Sequence, residues 1–478
     1  MERQQIESLV EKVLARLQAG DSSGASQNGA SQKGAAAEPP SKPHGVYKSV
    51  SDAVGAARLA QLTLAALPLE KRREIIANIR RRCAEDVLAL SRMAVAETGL
   101  GRVEDKVKKN LLVIHRTPGP EILEPIAYTG DDGLTLIERA PYGVIAAITP
   151  TTNPTETIIC NGIGMVSGAN TVVFNTHPSA KGVSAYTIDL INRASMEVGG
   201  PDDIMTCIAS PTIESANELL RFPGIRLNVV TGGPAVVKAA LAANKKAICG
   251  GPGNPPVVVD ETADIDQAAR GIIAGASFDN NIICCDEKEV FVVEKVADKL
   301  LDTMDRAGAV RLRNHQITRL MKLVLTPDGE HVNSKWVGKN ASQYLREIDV
   351  PFQGDPRLIT CEVPFDHPFV QHELLMPIMG VVRVKDVHEG IDMAIRAEHG
   401  FGHTASMYSK NIDSLHRMAR AANVSIFVKN APNYAGLGFG GEGYTSFTIA
   451  SPTGEGLTTA RNFTRERRCT LAGHFRIV

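Results

Sequence analysis

Residues 171–181 read Thr171-Val172-Val173-Phe174-Asn175-Thr176-His177-Pro178-Ser179-Ala180-Lys181. Four residues of strand-forming character run into a polar turn closed by a proline, and a helical pattern follows over 184–198. The same succession repeats downstream. Short apolar runs at 204–208, 227–231 and 247–249 alternate with helical segments at 215–222 and 235–243. Strand and helix in alternation over this length predict a parallel, doubly wound α/β sheet. Such sheets bind nucleotides beyond the carboxyl ends of their strands. Here those ends carry residues 175–181 and Thr231-Gly232-Gly233-Pro234.

Working outward, residues 49–116 read as helices with Ala-rich and Arg-rich faces. Two strand-like runs, 121–129 and 134–139, are joined by Gly130-Asp131-Asp132-Gly133, a hairpin signal. An apolar strand at 143–148 then runs into Thr149-Pro150-Thr151-Thr152-Asn153-Pro154-Thr155. A second α/β set begins near Pro255 and extends to about residue 430. The tail is Gly-rich, then β-like over 446–450, then basic at Arg461, Arg465, Arg467 and Arg468. Gly436-Leu437-Gly438-Phe439-Gly440-Gly441 contains a formal GxGxxG. Cradling a phosphate requires a strand before it and a helix after, and the sequence predicts neither.

The chain has 478 residues, long enough for two or three domains, with 43% hydrophobic and 22% charged residues. A formal net charge of −1 argues against a nucleic-acid footprint or a polybasic membrane patch. No apolar run approaches the length of a membrane span, and the first residues lack the apolar region of a secretory signal. A cytoplasmic setting is therefore expected, with the eight cysteines reduced. Near the start, Ile6, Leu9, Val10, Val13, Leu14 and Leu17 form one helical stripe, followed by a Gly/Ser/Ala/Pro-rich linker. A short helix on a tether reads as a docking peptide. The competing reading packs it back onto its own chain.

Between a helical run (266–276) and a strand (289–293) stands Ser277-Phe278-Asp279-Asn280-Asn281-Ile282-Ile283-Cys284-Cys285. A cysteine at such a junction can project into a cleft, although free cysteine is more often buried and inert. Four segments in order, 148–155, 278–284, 398–406 and Pro452-Thr453-Gly454-Glu455-Gly456, resemble the aldehyde dehydrogenase superfamily, specifically its CoA-acylating branch. The likeness runs from about residue 49 to the end. It is nearest to the propionaldehyde dehydrogenases of bacterial microcompartments, which also carry a tethered N-terminal helix.

The resemblance implies a nucleotide-binding domain at 46–250 with an arm hairpin near 121–139. An α/β catalytic domain at 251–440 and a C-terminal β oligomerisation arm at 441–478 complete it, behind a docking helix (1–18) and linker (19–45). It implies Cys284 as nucleophile, in register from Phe278, with Asn153 donating to the oxyanion. Thr176, His177, Pro178, Gly232, Gly233 and Glu373 would bind NAD. His403 would steer the thiol of coenzyme A or shape the pocket, or else be a structural histidine. Hydrolytic members of the family carry a glutamate to activate water. The matching stretch here, 250–255, has no carboxylate at that position, which points to CoA as acyl acceptor. The implied reaction is NAD-linked oxidation of a short aldehyde, propanal or alternatively acetaldehyde, in a homodimer or homotetramer. A shell protein or cargo enzyme of a microcompartment would bind residues 1–18. A different class of reading, an inactive scaffold of the same fold, predicts loss of Cys284 or Asn153, and both are present.

Overall fold

The computed structural model describes residues 43–478 together with Glu11 and Ala15. Apart from those two positions, the expected docking helix and the linker up to residue 42 lie outside the described residues, while His44, expected in the linker, is bonded to Asp189 and Asp202 of the first domain. From β1 (Val46–Tyr47) the chain enters four helices, α1 (Val50–Ala66), α2 (Leu69–Glu85), α3 (Val87–Thr98) and α4 (Val103–Arg116). The last of these is unusual for a charged helix, because Asp105, Lys106, Lys109 and Asn110 are all buried.

Strands β2 (Ile126–Gly130) and β3 (Gly133–Pro141) form the expected hairpin around the Gly-Asp-Asp-Gly turn. Its first strand starts later than the sequence suggested. Pro120 opens a 3-10 turn over Pro120–Ile122, and Pro125 has no amide hydrogen to give to a ladder.

Next come β4 (Val144–Ile148), α5 (Pro154–Ser167), β5 (Thr171–Asn175), α6 (Lys181–Glu197), β6 (Met205–Ile208), α7 (Ile213–Arg221), β7 (Leu227–Thr231), α8 (Pro234–Leu241) and β8 (Lys246–Gly250). They make one parallel sheet in the order β1-β6-β5-β4-β7-β8. Alternate residues of a strand face opposite sides. Ile145, Ala147, Val172 and Phe174 enter one apolar core while Val144, Ala146, Ile148 and Val173 enter another. Both faces are covered, so these strands are apolar throughout rather than alternating.

A second parallel sheet holds β9 (Pro256–Val259), β10 (Glu289–Val293), β11 (Val310–Arg311), β12 (Ile359–Glu362), β13 (Ile378–Val384), β14 (Thr404–Tyr408) and β15 (Ile426–Lys429). Their order is β11-β12-β13-β10-β9-β14-β15. Helix α9 (Ile265–Ala276) leaves β9 and delivers the chain to the cysteine stretch just before β10. The tail divides. Strands β16 (Ile449–Ala450) and β17 (Gly456–Leu457) pair with each other, with Ile449 lying against Gly250. Only from Thr464 does the chain join the hairpin, as β18 (Thr464–Ala472) in the antiparallel order β18-β3-β2. Residues 441–463, expected in the arm, instead run back over the first sheet because Phe447, Ile449 and Ala450 are apolar and bury in its core. Among the described residues no helix is long and apolar enough to cross a membrane.

Candidate active site

In the first sheet the strand order reverses at β4, which has β5 on one side and β7 on the other. Connections leave the two flanks in opposite directions and open a crevice at the carboxyl ends. The ends of β4 and β7 supply Pro150, Thr152, Asn153, Thr231, Gly232, Gly233 and Pro234 to one cavity. Its other wall comes from the second sheet and its loops: Gly251, Pro252, Ile282, Ile283, Cys284, Glu373 and Leu375. Thus Cys284, Asn153, Gly232, Gly233 and Glu373, more than two hundred residues apart at the extremes, face a single space.

The loop before Cys284 is backbone that few sequences tolerate. Asp279, Asn280 and Asn281 all have left-handed φ, at +45°, +57° and +66°. Asp and Asn are the non-glycine residues that reach this region most readily, because their short side chains can bond nearby polar groups. Each does so here. Asp279 Oδ1 accepts the Arg102 amide hydrogen at 2.7 Å, and its Oδ2 accepts from Lys106 at 3.0 Å and Lys109 at 2.6 Å. Asn280 accepts from Arg102 Nε and donates to the Gly338 carbonyl and Asn340. Asn281 Nδ2 bridges the carbonyls of Ala276 and Glu287, both at 2.8 Å. From the other side, the buried Lys288 ammonium donates to Asn281 O (3.0 Å), Asn281 Oδ1 (2.7 Å) and Ile283 O (3.0 Å). All three of its hydrogens are spent on the loop that carries the thiol.

The two adjacent cysteines sit differently. Cys284 is half-buried and lines the cavity, whereas Cys285 is 0% exposed within the apolar core. Burial, then the neighbouring Glu373 carboxylate, push the Cys284 thiol up to about 12, so it rests protonated at neutral pH. Burial likewise raises Glu373 to about 7; its Oε1 accepts the Gly253 amide hydrogen at 3.3 Å.

Backbone is packed tightly here. A Cβ at Gly253 would stand 2.7 Å from the Cys284 carbonyl oxygen and 2.9 Å from the His403 ring. His403 is fully buried behind it and does not line the cavity. Burial drops its imidazole to about 3, leaving it neutral, with Nδ1 on Thr404 Oγ1 at 2.8 Å and Nε2 unpartnered. Thr176, His177 and Pro178 follow β5, one strand away from the cavity, and are not part of its lining. Thr176 is buried and the other two are exposed.

Beneath the cavity lie four fully buried charges that the sequence reading did not single out: Lys106 and Lys109 on α4, Glu156 on α5, and Asp279. Burial works against the charge on Lys109, yet Asp279 and Glu156 more than offset it and hold this ammonium above the usual lysine range. Lys106 falls below that range, through burial and then repulsion from Lys109. Burial also opposes the Glu156 charge, but the two lysines outweigh it and lower its pKa. Nothing local in the sequence reveals the pairing of Lys106 and Lys109 with Asp279.

Comparison with known proteins gives the family and the fold. The aldehyde dehydrogenase family model matches residues 41–320 and 355–462. The chain is 46% identical to the acetylating acetaldehyde dehydrogenase EutE of Escherichia coli K12, over 100% of both chains. Its fold is similar to that of a propionaldehyde dehydrogenase from the Clostridium phytofermentans fucose utilisation bacterial microcompartment. That match has a TM-score of 0.90 and 45% identity, covering 91% of this chain and 100% of that one. A Rhodopseudomonas palustris propionaldehyde dehydrogenase, solved with bound CoA and an acylated cysteine, is similar with a TM-score of 0.88 and 47% identity, covering 90% and 98%.

Proposed function

The chain belongs to the aldehyde dehydrogenase family, and from that premise we propose that it is a CoA-acylating member. It oxidises a short-chain aldehyde on Cys284 with NAD and passes the acyl group to coenzyme A. One observation carries this reading. The cavity presents a cysteine and an Asn side chain together, with Glu373 the only carboxylate lining it among the described residues. The stretch 250–255, matched to the one where hydrolytic members carry their glutamate, holds no carboxylate, and within it a side chain at Gly253 would collide with the Cys284 carbonyl and the His403 ring. With Glu373 given to the ribose hydroxyls of the cofactor, no carboxylate of this lining is left to activate water, and a stronger nucleophile, a thiol, takes the acyl group.

The residues present fit a dinucleotide. The first turn of α8 leaves amide hydrogens without helical partners at the cavity, suited to a pyrophosphate. A Cβ at Gly233 would meet nothing within 4 Å, so the approach is open. Glu373 can accept from ribose hydroxyls, and Thr176, His177 and Pro178, at the neighbouring strand end, are assigned to the adenosine. When bound, the nicotinamide supplies the two-electron acceptor.

The chain's own part is as follows. Cys284 Sγ bonds to the carbonyl carbon, giving a thiohemiacetal whose oxygen gains negative charge. Asn153 Nδ2–H and the Cys284 amide hydrogen donate to that oxygen. Loss of hydride leaves a thioester on Cys284. The thiol of CoA attacks it, the C–S bond to Cys284 breaks, and the enzyme thiol is restored with one proton released overall.

Propanal is the proposed substrate, with acetaldehyde as competitor. One additional buried methylene contributes about 0.8 kcal/mol, roughly a fourfold preference, so both should turn over. The deciding measurement is reduced-nicotinamide absorbance with propanal, with and without CoA, alongside kcat/KM for acetaldehyde. Equal rates without CoA, with free propanoate as product, would remove the CoA assignment.

Two assembly proposals accompany this. The three-stranded sheet β18-β3-β2 leaves Ile126, Tyr128 and Leu471 exposed, and so thin a sheet needs a covering surface. We assign it to pairing with a second copy, giving a dimer or a dimer of dimers. Residues 1–18, by their apolar stripe, are assigned to a microcompartment shell protein or neighbouring cargo enzyme, which places the enzyme inside such a compartment in the cytoplasm.

A further inference from the structure

Asn153 occupies the position just before the first turn of α5, where an Asn side chain ordinarily turns its oxygen onto the helix's own free amides. It makes no such bond. Its Oδ1 instead accepts from Lys109 Nζ at 2.5 Å, a contact made entirely in the interior. The other two Lys109 hydrogens go to Asp279 Oδ2 at 2.6 Å and toward Glu156 Oε1 at 3.3 Å. An ammonium has three donors and no lone pair, so only the oxygen of the Asn153 amide can face it. The amide orientation is therefore fixed by chemistry. Nδ2 must point away from Lys109, where one of its hydrogens reaches Thr152 Oγ1 at 3.0 Å. Asn153 and Thr152 both line the cavity that Cys284 enters, which leaves the second Nδ2 hydrogen for that space.

We propose that Lys109 is a positioning residue for the reaction: it holds the Asn153 amide with an N–H presented to the oxyanion. Through Asp279 the same ammonium ties this donor to the loop that carries Cys284. Donor and nucleophile then keep a fixed separation, although they come from different sheets. The charge also polarises the amide, making its remaining hydrogen a better donor to a developing anion. The inference rests on the reading of Asn153 as the oxyanion donor.

The test is a double-mutant cycle on the full-length enzyme, read by single-turnover formation of reduced nicotinamide from propanal. Asn153→Ala is expected to slow this step by about 10² to 10³. Lys109→Met keeps the length of the side chain and removes its donor. It is expected to slow the step by about 10²-fold, as misplacement near the chemistry does, with the aldehyde KM little changed. In the Asn153→Ala background, Lys109→Met should then cost almost nothing further, because the group it positions is gone. An equal loss in both backgrounds would show that Lys109 acts independently of Asn153 and would overturn the proposal, as would an undiminished rate in Lys109→Met. A normal rate in Asn153→Ala alone would instead sink the oxyanion reading itself. Lys109→Met leaves two buried carboxylates facing one ammonium and could unfold the chain. The paired change Lys109→Met with Glu156→Gln removes one charge of each sign, and the same cycle is run on it.

Discussion

Replacing each of the two adjacent cysteines separately tests the register of the active site. Cys285 has no exposed surface and packs in the core with Phe278, Ile283 and Leu437. Cys285→Ala removes one buried sulfur, comparable to a methylene, and should cost about 1 kcal/mol with a small cavity term added. Cys285→Ser should cost more, about 1 to 3 kcal/mol, because its hydroxyl has no partner in that core. Neither reaches the cavity, so turnover should stay within a few-fold of normal. Cys284→Ala removes the atom that bonds to substrate, and turnover should fall by at least about 10⁴.

Thiol reactivity gives an independent check on the same protein. With its thiol near 12, Cys284 holds only about 10⁻⁴ of its population as thiolate at pH 8, and that fraction rises tenfold per pH unit. Alkylation by iodoacetamide, followed by peptide mass spectrometry, should accelerate at Cys284 from pH 7 to 10. The exposed Cys469 serves as an internal reference and Cys285 should remain unlabelled. An active Cys284→Ala beside a dead Cys285→Ala would shift the assignment by one residue and refute this reasoning.

Gly101 has φ +77°, and a Cβ there would stand 2.0 Å from Asp279 Oδ1. Gly101→Ala should therefore lose about 1 to 2 kcal/mol from backbone strain alone. It should also lower kcat by disturbing the Asp279 loop, measured by thermal denaturation and steady-state rates; an unchanged kcat would uncouple that loop from catalysis. Glu287 is buried with Oε2 unpartnered, and burial raises its carboxyl to about 8. The folded state thus holds a proton that the unfolded chain releases near pH 4.5, and this group lowers stability progressively as pH rises from about 4.5 to 8, by at most about 1.4 kcal/mol per pH unit. Glu287→Gln should match the parent Tm below pH 4.5 and exceed it increasingly up to pH 8; a constant gap would contradict the burial argument. Deleting residues 1–18 should leave turnover in solution unchanged while abolishing co-purification with microcompartment shells, and loss of turnover would place that segment in the catalytic body.

Much of the fold could be read from local pattern. Strands β5 to β8 and helices α6 to α8 appear within a few residues of where apolar runs and helical periodicity put them. Helix α5 did not, because all fourteen of its residues are buried. A helix buried on every side, polar residues included, has no single apolar stripe for a 3.6-residue period to reveal. The charged runs misled in the opposite sense. Asp105, Lys106 and Lys109, and then Asp286, Glu287, Lys288 and Glu289, would ordinarily be taken as solvated, and every one is buried. The partner that makes Lys109 tolerable inside is Asp279, 170 residues away. That pairing becomes visible only when the two sheets meet.

These buried charges bear on why the site is built as it is. Replacing a buried ion pair with apolar residues of similar volume is often neutral or stabilising, so stability is a weak reason to keep Lys106, Lys109, Glu156 and Asp279 inside. Geometry is a stronger one. Three consecutive left-handed residues precede Cys284, and a hydrophobic wall offers no direction to hold them. Hydrogen bonds do: Asp279 is gripped from α4, Asn280 by Arg102, and Asn281 by Lys288. On the proposed mechanism, thioester transfer to a second thiol needs the same sulfur to serve first as nucleophile and then as leaving group, at a carbon whose oxygen accepts a hydrogen bond from Asn153 both times. A loop free to drift would misalign one of the two steps, and water, which needs no alignment with a large co-substrate, would gain. On the proposed reading, the charge network under Cys284 works in the same direction as the lack of a base given over to water, because both favour a well-placed thiol.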